Sequence, residues 1–458
     1  MATVRPRDAA GPMLERLRRA TKSFQRDYPG ESADRQPVHT VYGGAHLFKA
    51  DSAPRLGQLA LAMMRENAPD SRAFAAAIGM AEPGGEDPRQ VRMHETLFHR
   101  VIEKLEREPV EDFRIDFEDG YGPRPDAEED ACAKSAAAEV AKGLAAGTLP
   151  PFIGIRIKPL LGDTAARGIR TLELFLDALL AATNKRLPPN FVVTNPKIVV
   201  PEQVSALAAL FEVLERNHGL DHGSLRMELM IETTQSIFDR DGRSHIPALI
   251  QAAQGRCTAA HFGVYDYTAT CSITAEHQRM GHASCDFARH MMQVALAGTG
   301  IRMSDGATNI MPVGPHRAEK AGPPLTPQQQ AENRAVVHRA WRLHFRDVRH
   351  SLENAFYQGW DLNPGQLPTR YAAVFSFFLE GLDSAANRLR NFVEKAALAT
   401  LAGDVFDDAA TGQGLLNFFL RGVNCGAITE AEAQRAGLSL DEIRTRSFAK
   451  ILAGRARR

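Results

Sequence analysis

Short apolar runs recur through the first three quarters of the chain, separated by longer stretches with helical periodicity. Each run is rich in β-branched or aromatic residues and too short for a helix, so the pattern predicts β-strands. The clearest runs cover residues 38–42, 113–117, 152–157, 192–200, 227–231 and 259–264. Weaker runs cover residues 301–303 and the segment that ends at Leu362.

The stretches between these runs predict helices, among them residues 54–66, 127–146, 168–183, 201–217, 246–254 and 286–297. Strands that alternate with helices pair in parallel through right-handed crossovers. About eight such units fit before residue 370, as in a (β/α)8 TIM-type barrel. A doubly wound open sheet is the structural rival, but no GxGxxG motif follows the first strand. We therefore predict an α/β barrel.

The pattern also divides the chain. We expect an N-terminal helical segment over residues 1–36, a (β/α)8 barrel over 37–368 and a helical C-terminal extension over 369–458. Residues 305–328 are rich in Gly and Pro and predict a long loop of the kind that often forms a lid or an interface arm.

Composition narrows the class of function. Lys plus Arg and Asp plus Glu both number 55, so the net charge is zero and no long-range attraction to nucleic acid or an anionic membrane is expected. The five cysteines are widely spaced and form no CxxC pair, so neither a disulfide framework nor a zinc site is indicated. This favours a reducing, cytoplasmic location. No apolar run is long enough to span a bilayer.

Two acidic residues end predicted strands. Glu232 follows the run MELMI, and Asp266 follows a run that contains glycine. If these strands are neighbours, the two carboxylates converge, because active sites of such barrels lie at the carboxyl ends of the strands. Two carboxylates without His or Cys favour Mg²⁺ or Mn²⁺. The alternative is that each acid only caps the helix after its strand.

Basic residues also end strands. Arg156 lies inside the run FIGIRI, where a permanent charge is costly unless it meets an anion. It would then contact substrate or an enolate oxygen, or else form a buried ion pair with Asp116 or Glu118. Lys158 and Lys197 would bind a substrate anion or lie at the rim.

The segment IDFEDGYG carries Asp116, Glu118 and Asp119. On a strand, Asp116 and Glu118 share one face, and Asp119 begins the turn. Glu118 or Asp119 would act as a general base or orient a water molecule. A turn rich in Asp and Gly without catalytic function is the alternative.

In this order, the motifs resemble those of the HpcH/HpaI aldolase and citrate lyase β-subunit-like family over residues 38–367. The resemblance is carried by the D-x-E-D-G turn at 116–120, the strand with Arg156, the Pro-Lys strand with Lys197, the Glu-Thr strand end with Glu232, the Gly-x-x-Asp end with Asp266 and the segment Gly359-Trp360-Asp361-Leu362-Asn363-Pro364.

This resemblance implies a (β/α)8 barrel in which residues matching Glu232 and Asp266 hold Mg²⁺ and an arginine matching Arg156 contacts substrate. It also implies a homo-oligomer, commonly a trimer or hexamer, with C-terminal helices exchanged between subunits. The sequence departs from the family at Lys158, where the family has Asn, and at Asn363, where it has His.

The function expected is a Mg²⁺-dependent carbon–carbon lyase or aldolase that acts on a small 2-oxo acid, or a related acyl compound, through an enolate. Lys158, Lys197 and Asn363 would join Arg156 in binding substrate. Two alternatives stay open. One is an acyl-CoA lyase, a malate-synthase-like condensation or a thioesterase. The other is a non-catalytic metabolite-binding subunit of a larger assembly.

Overall fold

Eight parallel strands form a closed barrel in the computed structural model, in the order in which they follow along the chain. The structure describes residues 6–30, 32, 34–81, 87–318, 323–394, 400–402, 405–407, 409–445, 450–451 and 454. The strands are β1 His39–Gly44, β2 Asp112–Asp116, β3 Phe152–Arg156, β4 Phe191–Asn195, β5 Arg226–Ile231, β6 Cys257–Phe262, β7 Arg302–Ala307 and β8 Gln358–Asp361.

Helices surround the barrel and extend beyond it at both ends of the chain. They are α1 Pro6–Asp27, α2 Ser52–Asn67, α3 Ser71–Ile78, α4 Pro88–Arg107, α5 Asp126–Ala146, α6 Thr164–Ala182, α7 Pro201–His218, α8 Thr234–Ile237, α9 Ile246–Ala252, α10 Val264–Thr270, α11 Ala283–Leu296, α12 Pro327–Glu353, α13 Leu367–Glu394, α14 Ala409–Asn424, α15 Glu430–Gln434 and α16 Leu440–Arg444. The predicted (β/α)8 fold is therefore confirmed. Among the described residues, no helix is long and apolar enough to cross a membrane.

Alternation along each strand separates the barrel interior from the layer beneath the helices. In β2, Phe113 and Ile115 are buried in the hydrophobic core, whereas Arg114 lies on the opposite face, inside the barrel. Pairing of β1 with β8 closes the ring, with His39 opposite Gly359. Each strand is thus buried on both faces, which explains why the strands appear in the sequence as continuous apolar runs.

The middle of the barrel is filled by a polar cluster. Arg114 Nη2 donates hydrogen bonds of 2.7 Å to Asp112 Oδ2 and of 2.7 Å to Glu228 Oε2. Thr40 donates to the same Asp112 oxygen, and His261 Nε2 lies 3.3 Å from Glu228 Oε2. All five side chains are buried. Because the Arg114–Glu228 contact joins β2 to β5, these bonds span the interior and tie distant strands together.

Strand β4 ends earlier than the sequence pattern predicts. The predicted run 192–200 contains apolar residues up to its end, but β4 stops at Asn195. Pro196 has no N–H for the ladder, and Lys197 adopts a left-handed backbone conformation with φ 49°. This turn carries the side chain of Lys197 to the carboxyl end of the barrel, and helix α7 begins at Pro201.

Helix α13 completes the ring of helices around the barrel. It begins at Leu367 and packs against α12 and α4, the helices on either side of the gap after β8. The expected barrel boundary at residue 368 therefore falls in the first turn of this helix. The geometry favours a barrel that extends to Glu394, because α13 is the eighth helix of the ring.

The sequence pattern predicts a C-terminal extension that is entirely helical, but the extension also contains strands. Two short antiparallel strands, β9 Thr400–Ala402 and β10 Val405–Asp407, precede α14. Helix α14 packs on α13. Helical periodicity predicts helix over residues 429–454 with a break near Gly437, and α15 and α16 are separated there. Residues 446–449 and 452–453 of that span lie outside the described residues.

The predicted N-terminal helical segment and the long loop are both observed in part. Helix α1 leaves Met13, Leu14, Leu17 and Phe24 exposed. The loop expected over 305–328 begins later, because Asp305 is part of β7, and it ends where α12 begins at Pro327. Residues 319–322 of that loop lie outside the described residues.

Candidate functional site

The acidic turn after β2 is shaped by Asp116. Its carboxylate accepts hydrogen bonds from the backbone N–H groups of Glu118, at 2.9 Å, and Gly120, at 2.7 Å. A Cβ atom at Gly120 would lie 2.6 Å from Asp116 Oδ2, so the turn requires glycine there. The structure thus combines the two sequence interpretations of this segment: Asp116 builds the turn, and the turn presents Glu118 and Asp119.

Arg156, the last residue of β3, forms the buried ion pair that the sequence left as one of two alternatives. It lies beside Asp116 on the neighbouring strand, and its Nε donates to Asp116 Oδ1 at 2.7 Å. Its Nη1 lies 3.1 Å from Glu118 Oε2, and its guanidinium lies 5.0 Å from the ring centre of Tyr42. Arg156 Nη1 also lies 4.0 Å from Asp119 Oδ2, so three carboxylates surround this guanidinium, and substrate contact by Arg156 stays a prediction.

Lys197 joins the carboxylates of several strand ends. Its ammonium group donates to Glu118 Oε1 at 2.6 Å, to Asp119 Oδ2 at 3.0 Å and to Asp266 Oδ2 at 3.4 Å. Its backbone N–H donates to Glu232 Oε1 at 2.6 Å. We call these five residues the carboxylate–lysine cluster. Five of the predicted site residues therefore meet at one point.

Charges around the cluster set the protonation of two of its acids. Burial raises the pKa of Glu118 above its usual value, although Arg156 and Lys197 oppose this change. Burial also acts on Asp119, but there Arg156 and Lys197 outweigh it and lower the pKa. Asp119 is more than half exposed and Glu118 is buried. At neutral pH, Asp119 is therefore ionised and accessible.

Glu232 and Asp266 follow neighbouring strands, as the metal hypothesis requires. Strands β5 and β6 pair with Ile231 opposite Phe262, which sets Glu232 beside Gly263. Asp266 lies in the first turn of α10, as the alternative interpretation also allows, and is partly exposed. Glu232 does not cap the following helix α8, because Thr233 accepts the capping hydrogen bond from Ser236.

One oxygen of Glu232 is unsatisfied. Glu232 is 1% exposed, and its Oε2 is buried without a hydrogen-bond partner. Burial and the neighbouring Asp266 carboxylate raise the pKa of Glu232 to about 8. A buried carboxylate oxygen without a partner is costly, and a bound cation would relieve that cost. Glu232 and Asp266 therefore fit a hard divalent ion.

The protein alone supplies few ligands for such an ion. Among the described residues, no group of three or more His, Cys, Asp or Glu side chains is arranged to hold a metal. Two carboxylates with water and substrate in the remaining positions suit Mg²⁺, which usually keeps several waters. The donor set is therefore that of a site that substrate completes.

Lys158 and Asn363, two further predicted substrate-binding residues, have local partners. Lys158 Nζ donates to the backbone oxygen of Phe117 at 2.8 Å and lies 2.8 Å from Glu129 Oε2 on α5. The Asn363 side chain accepts from the N–H of Gly365 at 2.8 Å and caps a short 3₁₀ turn, Pro364–Gln366. Neither contacts the carboxylate–lysine cluster within the described parts of the chain, and their role in substrate binding stays a prediction.

Sequence reasoning missed two residues that shape the site. Tyr42 supports Arg156, and the alternation in the run VHTVY would have placed it on the same face as Thr40, inside the barrel. Gly263 is the second: a Cβ atom there would lie 2.4 Å from Glu232 Oε2. A glycine at the end of β6 is the only sequence signal for this close approach.

Replacement of Gly263 by Ala should displace Glu232. A contact of 2.4 Å cannot be accommodated without movement, so we expect a loss of about 1–3 kcal/mol in the free energy of unfolding, together with weaker Mg²⁺ binding. Urea unfolding and Mg²⁺ titration by calorimetry measure the two effects. Gly281→Ala is the matched control, because nothing lies within 4 Å of a Cβ atom at that position. Equal behaviour of the two variants would contradict this account of Gly263.

Comparison with solved structures finds several matches. A citrate lyase from Burkholderia xenovorans LB400 matches with a TM-score of 0.54 and 17% identity, over 77% of this chain and 94% of that chain. Two structures of Haloferax volcanii malate synthase also match. The native enzyme at 3 mM glyoxylate matches with a TM-score of 0.45 and 14% identity, over 89% of this chain and 99% of that chain. The pyruvate/acetyl-CoA ternary complex matches with a TM-score of 0.43 and 16% identity, over 73% of this chain and 86% of that chain.

At these identities the comparison with the citrate lyase shows a common fold. It agrees with the fold that the resemblance to the HpcH/HpaI and citrate lyase β-subunit-like family implies, and membership of that family stays a prediction. A comparison with curated protein sequences finds no match. A family model described as a domain of unknown function, DUF6986, matches residues 17–451, nearly the whole sequence, and the chain therefore belongs to the DUF6986 family.

Proposed function

We propose that this protein is a Mg²⁺-dependent carbon–carbon lyase or aldolase, with Mn²⁺ as an alternative ion, that acts on a small 2-oxo acid or a related acyl compound through an enolate. The observation that carries the proposal is the buried, unpartnered Oε2 of Glu232 beside Asp266, at the carboxyl ends of neighbouring strands. Active sites of barrels of this type lie at that end. The fold shared with a citrate lyase supports the lyase class.

Glu232 and Asp266 would hold the ion. When bound, Mg²⁺ supplies Lewis-acid stabilisation of the negative charge that develops on a 2-oxo acid. Glu232 is held in place by the backbone N–H of Lys197 and by the absence of a Cβ atom at Gly263. These contacts fix one carboxylate before any ion arrives, which reduces the ordering that binding requires.

Arg156 and Lys197 would supply fixed positive charge beside the ion. Both are held by carboxylates, so their positions do not depend on substrate. Preorganised charge of this kind stabilises an anionic transition state more than mobile charge does. A 2-oxo acid offers one carboxylate oxygen and one oxo oxygen, the donors that would complete the ligand shell of an ion held by Glu232 and Asp266.

Asp119 is the best-placed proton acceptor. It is ionised at neutral pH, because Arg156 and Lys197 lower its pKa, and it is accessible. Cleavage of a 4-hydroxy-2-oxo acid requires removal of the hydroxyl proton, which an accessible carboxylate can accept. Glu118, whose pKa is raised by burial, would orient a water molecule beside it.

A homo-oligomeric state and a cytoplasmic location stay predictions.

A cleavage assay tests the proposal. The purified protein is incubated with a panel of 4-hydroxy-2-oxo acids and with acyl-CoA thioesters, with Mg²⁺ or with EDTA, and released pyruvate and free thiol are measured. We expect Mg²⁺-dependent pyruvate release. Asp266→Asn should lower it by about 100-fold, because it removes one of two protein ligands. Asp241→Asn, an exposed acid elsewhere, is the control.

Each outcome separates the candidates. If neither EDTA nor Asp266→Asn lowered pyruvate release, or if only one of them did, the metal assignment would be contradicted. Thiol release without carbon–carbon cleavage would favour a thioesterase. Binding of Mg²⁺ and a 2-oxo acid with no turnover of any compound in the panel would favour the non-catalytic alternative.

A further inference from the structure

Charge is distributed unevenly around the carboxyl end of the barrel. The carboxylate–lysine cluster and Arg156 occupy the ends of β2 to β6, which are consecutive around the ring. The other three strands, β7, β8 and β1, are also neighbours. The segments that follow them, residues 308–315, 362–369 and 45–48, contain no Asp, Glu, Lys or Arg. One side of the barrel mouth is therefore ionic and the other is uncharged.

Trp360 of β8 lies inside the barrel on the uncharged side. Its ring centre lies 4.7 Å from that of Tyr42 and 6.3 Å from that of His261, both of which are buried in the interior. Trp360 is partly exposed, whereas Gln358, two residues earlier on the same face of β8, is buried. The exposed part of Trp360 therefore faces the carboxyl end. Since the indole nitrogen itself is buried, that exposed part consists of carbon.

Leu362 extends this apolar surface toward the mouth. It follows Trp360 by two residues, and alternation along the strand places both side chains on the same face. Asp361 between them points the other way, to Arg370 on α13. Leu362 is 42% exposed, and its backbone N–H donates to Gln366 Oε1 at 2.8 Å. We call the surface formed by Trp360 and Leu362 the apolar subsite.

One aromatic ring separates the apolar subsite from the ionic side. The ring centre of Tyr42 lies 4.7 Å from that of Trp360 and 5.0 Å from the guanidinium of Arg156. Arg156 in turn pairs with Glu118 of the carboxylate–lysine cluster, at 3.1 Å. A small ligand held at the cluster can therefore extend a substituent over Tyr42 to the apolar subsite.

We propose that the apolar subsite binds the C4 substituent of the substrate, so that the preferred substrates are 4-hydroxy-2-oxo acids with an aromatic or alkyl group at C4. This inference rests on the lyase function proposed above. The 2-oxo acid end would lie at the carboxylate–lysine cluster. An apolar substituent gains free energy when it leaves water for the surface of Trp360 and Leu362. A second carboxylate there would lose water without meeting a cation.

The substituent leaves as part of an aldehyde. The C3–C4 bond breaks, the proton of the C4 hydroxyl group passes to Asp119, and a carbonyl group forms at C4. The electron pair of the broken bond enters the enolate, which takes up a proton at C3 and becomes pyruvate. The second product is an apolar aldehyde, which carries no charge that would hold it at the ionic side.

Two probes without a C4 hydroxyl group test the subsite without cleavage. In 2-oxo-4-phenylbutanoate and 2-oxoglutarate, the same 2-oxo acid and two CH₂ groups carry either a phenyl ring or a second carboxylate. We expect wild-type protein with Mg²⁺ to bind the phenyl compound about ten-fold more tightly in calorimetric titration. Equal affinities, tighter binding of 2-oxoglutarate, or no saturable binding of either probe would overturn the proposal.

Substitutions at Leu362 locate the preference. Leu362→Arg should reverse it, because an arginine there would pair with the second carboxylate of 2-oxoglutarate. Leu362→Ser removes the apolar group without adding charge and should reduce the preference without reversing it. Val294→Arg is the matched control, since Val294 is 81% exposed on α11 and the added charge is the same. A wild-type preference in both Leu362 variants would contradict the assignment.

Turnover distinguishes failure of the subsite from failure of the lyase function. We expect kcat/KM for pyruvate release to be about ten-fold higher with 4-hydroxy-2-oxo-4-phenylbutanoate than with 4-hydroxy-2-oxoglutarate. Faster cleavage of 4-hydroxy-2-oxoglutarate would contradict the apolar subsite and support the lyase. Tighter binding of the phenyl probe with no pyruvate from either compound would contradict the lyase and support the subsite.

Discussion

Glu232→Gln is expected to remove Mg²⁺ binding and turnover while the protein stays folded. The glutamine side chain has the shape of the protonated acid, which the raised pKa of Glu232 near 8 makes the main form at neutral pH without an ion. The fold should therefore tolerate the change. The negative charge that a divalent ion requires is lost, so Mg²⁺ affinity should fall by about 100-fold or more.

Calorimetric Mg²⁺ titration and the pyruvate-release assay measure the two effects of Glu232→Gln, and urea unfolding checks the fold. Glu202→Gln is the matched control, since Glu202 is an exposed acid in the first turn of α7. If Glu232→Gln bound Mg²⁺ and turned over substrate like the wild type, the assignment of Glu232 as a metal ligand would be wrong.

The largest loss of stability is expected for Arg114→Met. Arg114 is fully buried inside the barrel and has two carboxylate partners, Asp112 and Glu228, each at 2.7 Å. Methionine has a similar length but leaves both carboxylates buried without their cation. Loss of one partner from a buried ionic network typically costs about 3–5 kcal/mol. We expect the free energy of unfolding to fall by about that amount in urea unfolding at pH 8.

The direction in which this loss of stability changes with pH tests whether unpaired carboxylates cause it. Without Arg114, the folded-state pKa values of Asp112 and Glu228 rise above their unfolded values, so the cost is present at high pH and disappears as protonation neutralises both acids. The destabilisation should therefore be smaller at pH 5 than at pH 8. Arg124→Met is the control, because Arg124 forms a surface ion pair with Glu128. This substitution should change the free energy of unfolding little at either pH. A pH-independent loss in Arg114→Met would indicate a packing defect instead.

The fold was predictable because each strand is buried on both faces and so forms a short apolar run. Runs such as FRIDF and FIGIRI correspond closely to β2 and β3. The end of β4 was not predicted, since apolar residues recur up to Val200, whereas Pro196 and the turn at Lys197 end the strand. Helix α13 was assigned to the extension because helical periodicity does not show which neighbours a helix has.

The candidate site was predictable as a list of strand-end residues, but its contacts were not. Lys158 and Lys197 each follow a strand within two residues, yet only Lys197 turns toward the other acids, while Lys158 pairs with Glu129. The direction depends on the backbone of each turn, which the sequence pattern does not determine. Arg114 also lies inside a predicted strand, in the run FRIDF, but its partner Glu228 lies three strands away and the sequence does not identify it.

The polar cluster around Arg114 and Glu228 also divides the barrel into two compartments. Its side chains are almost completely buried, so at mid-height the interior is solid and no water-filled passage is expected between the carboxyl-end site and the amino end of the barrel. A compound that enters at one end cannot diffuse through to the other. Any influence of one end on the other would have to travel as a rearrangement of these ion pairs, which makes the interior of the barrel an electrostatic partition.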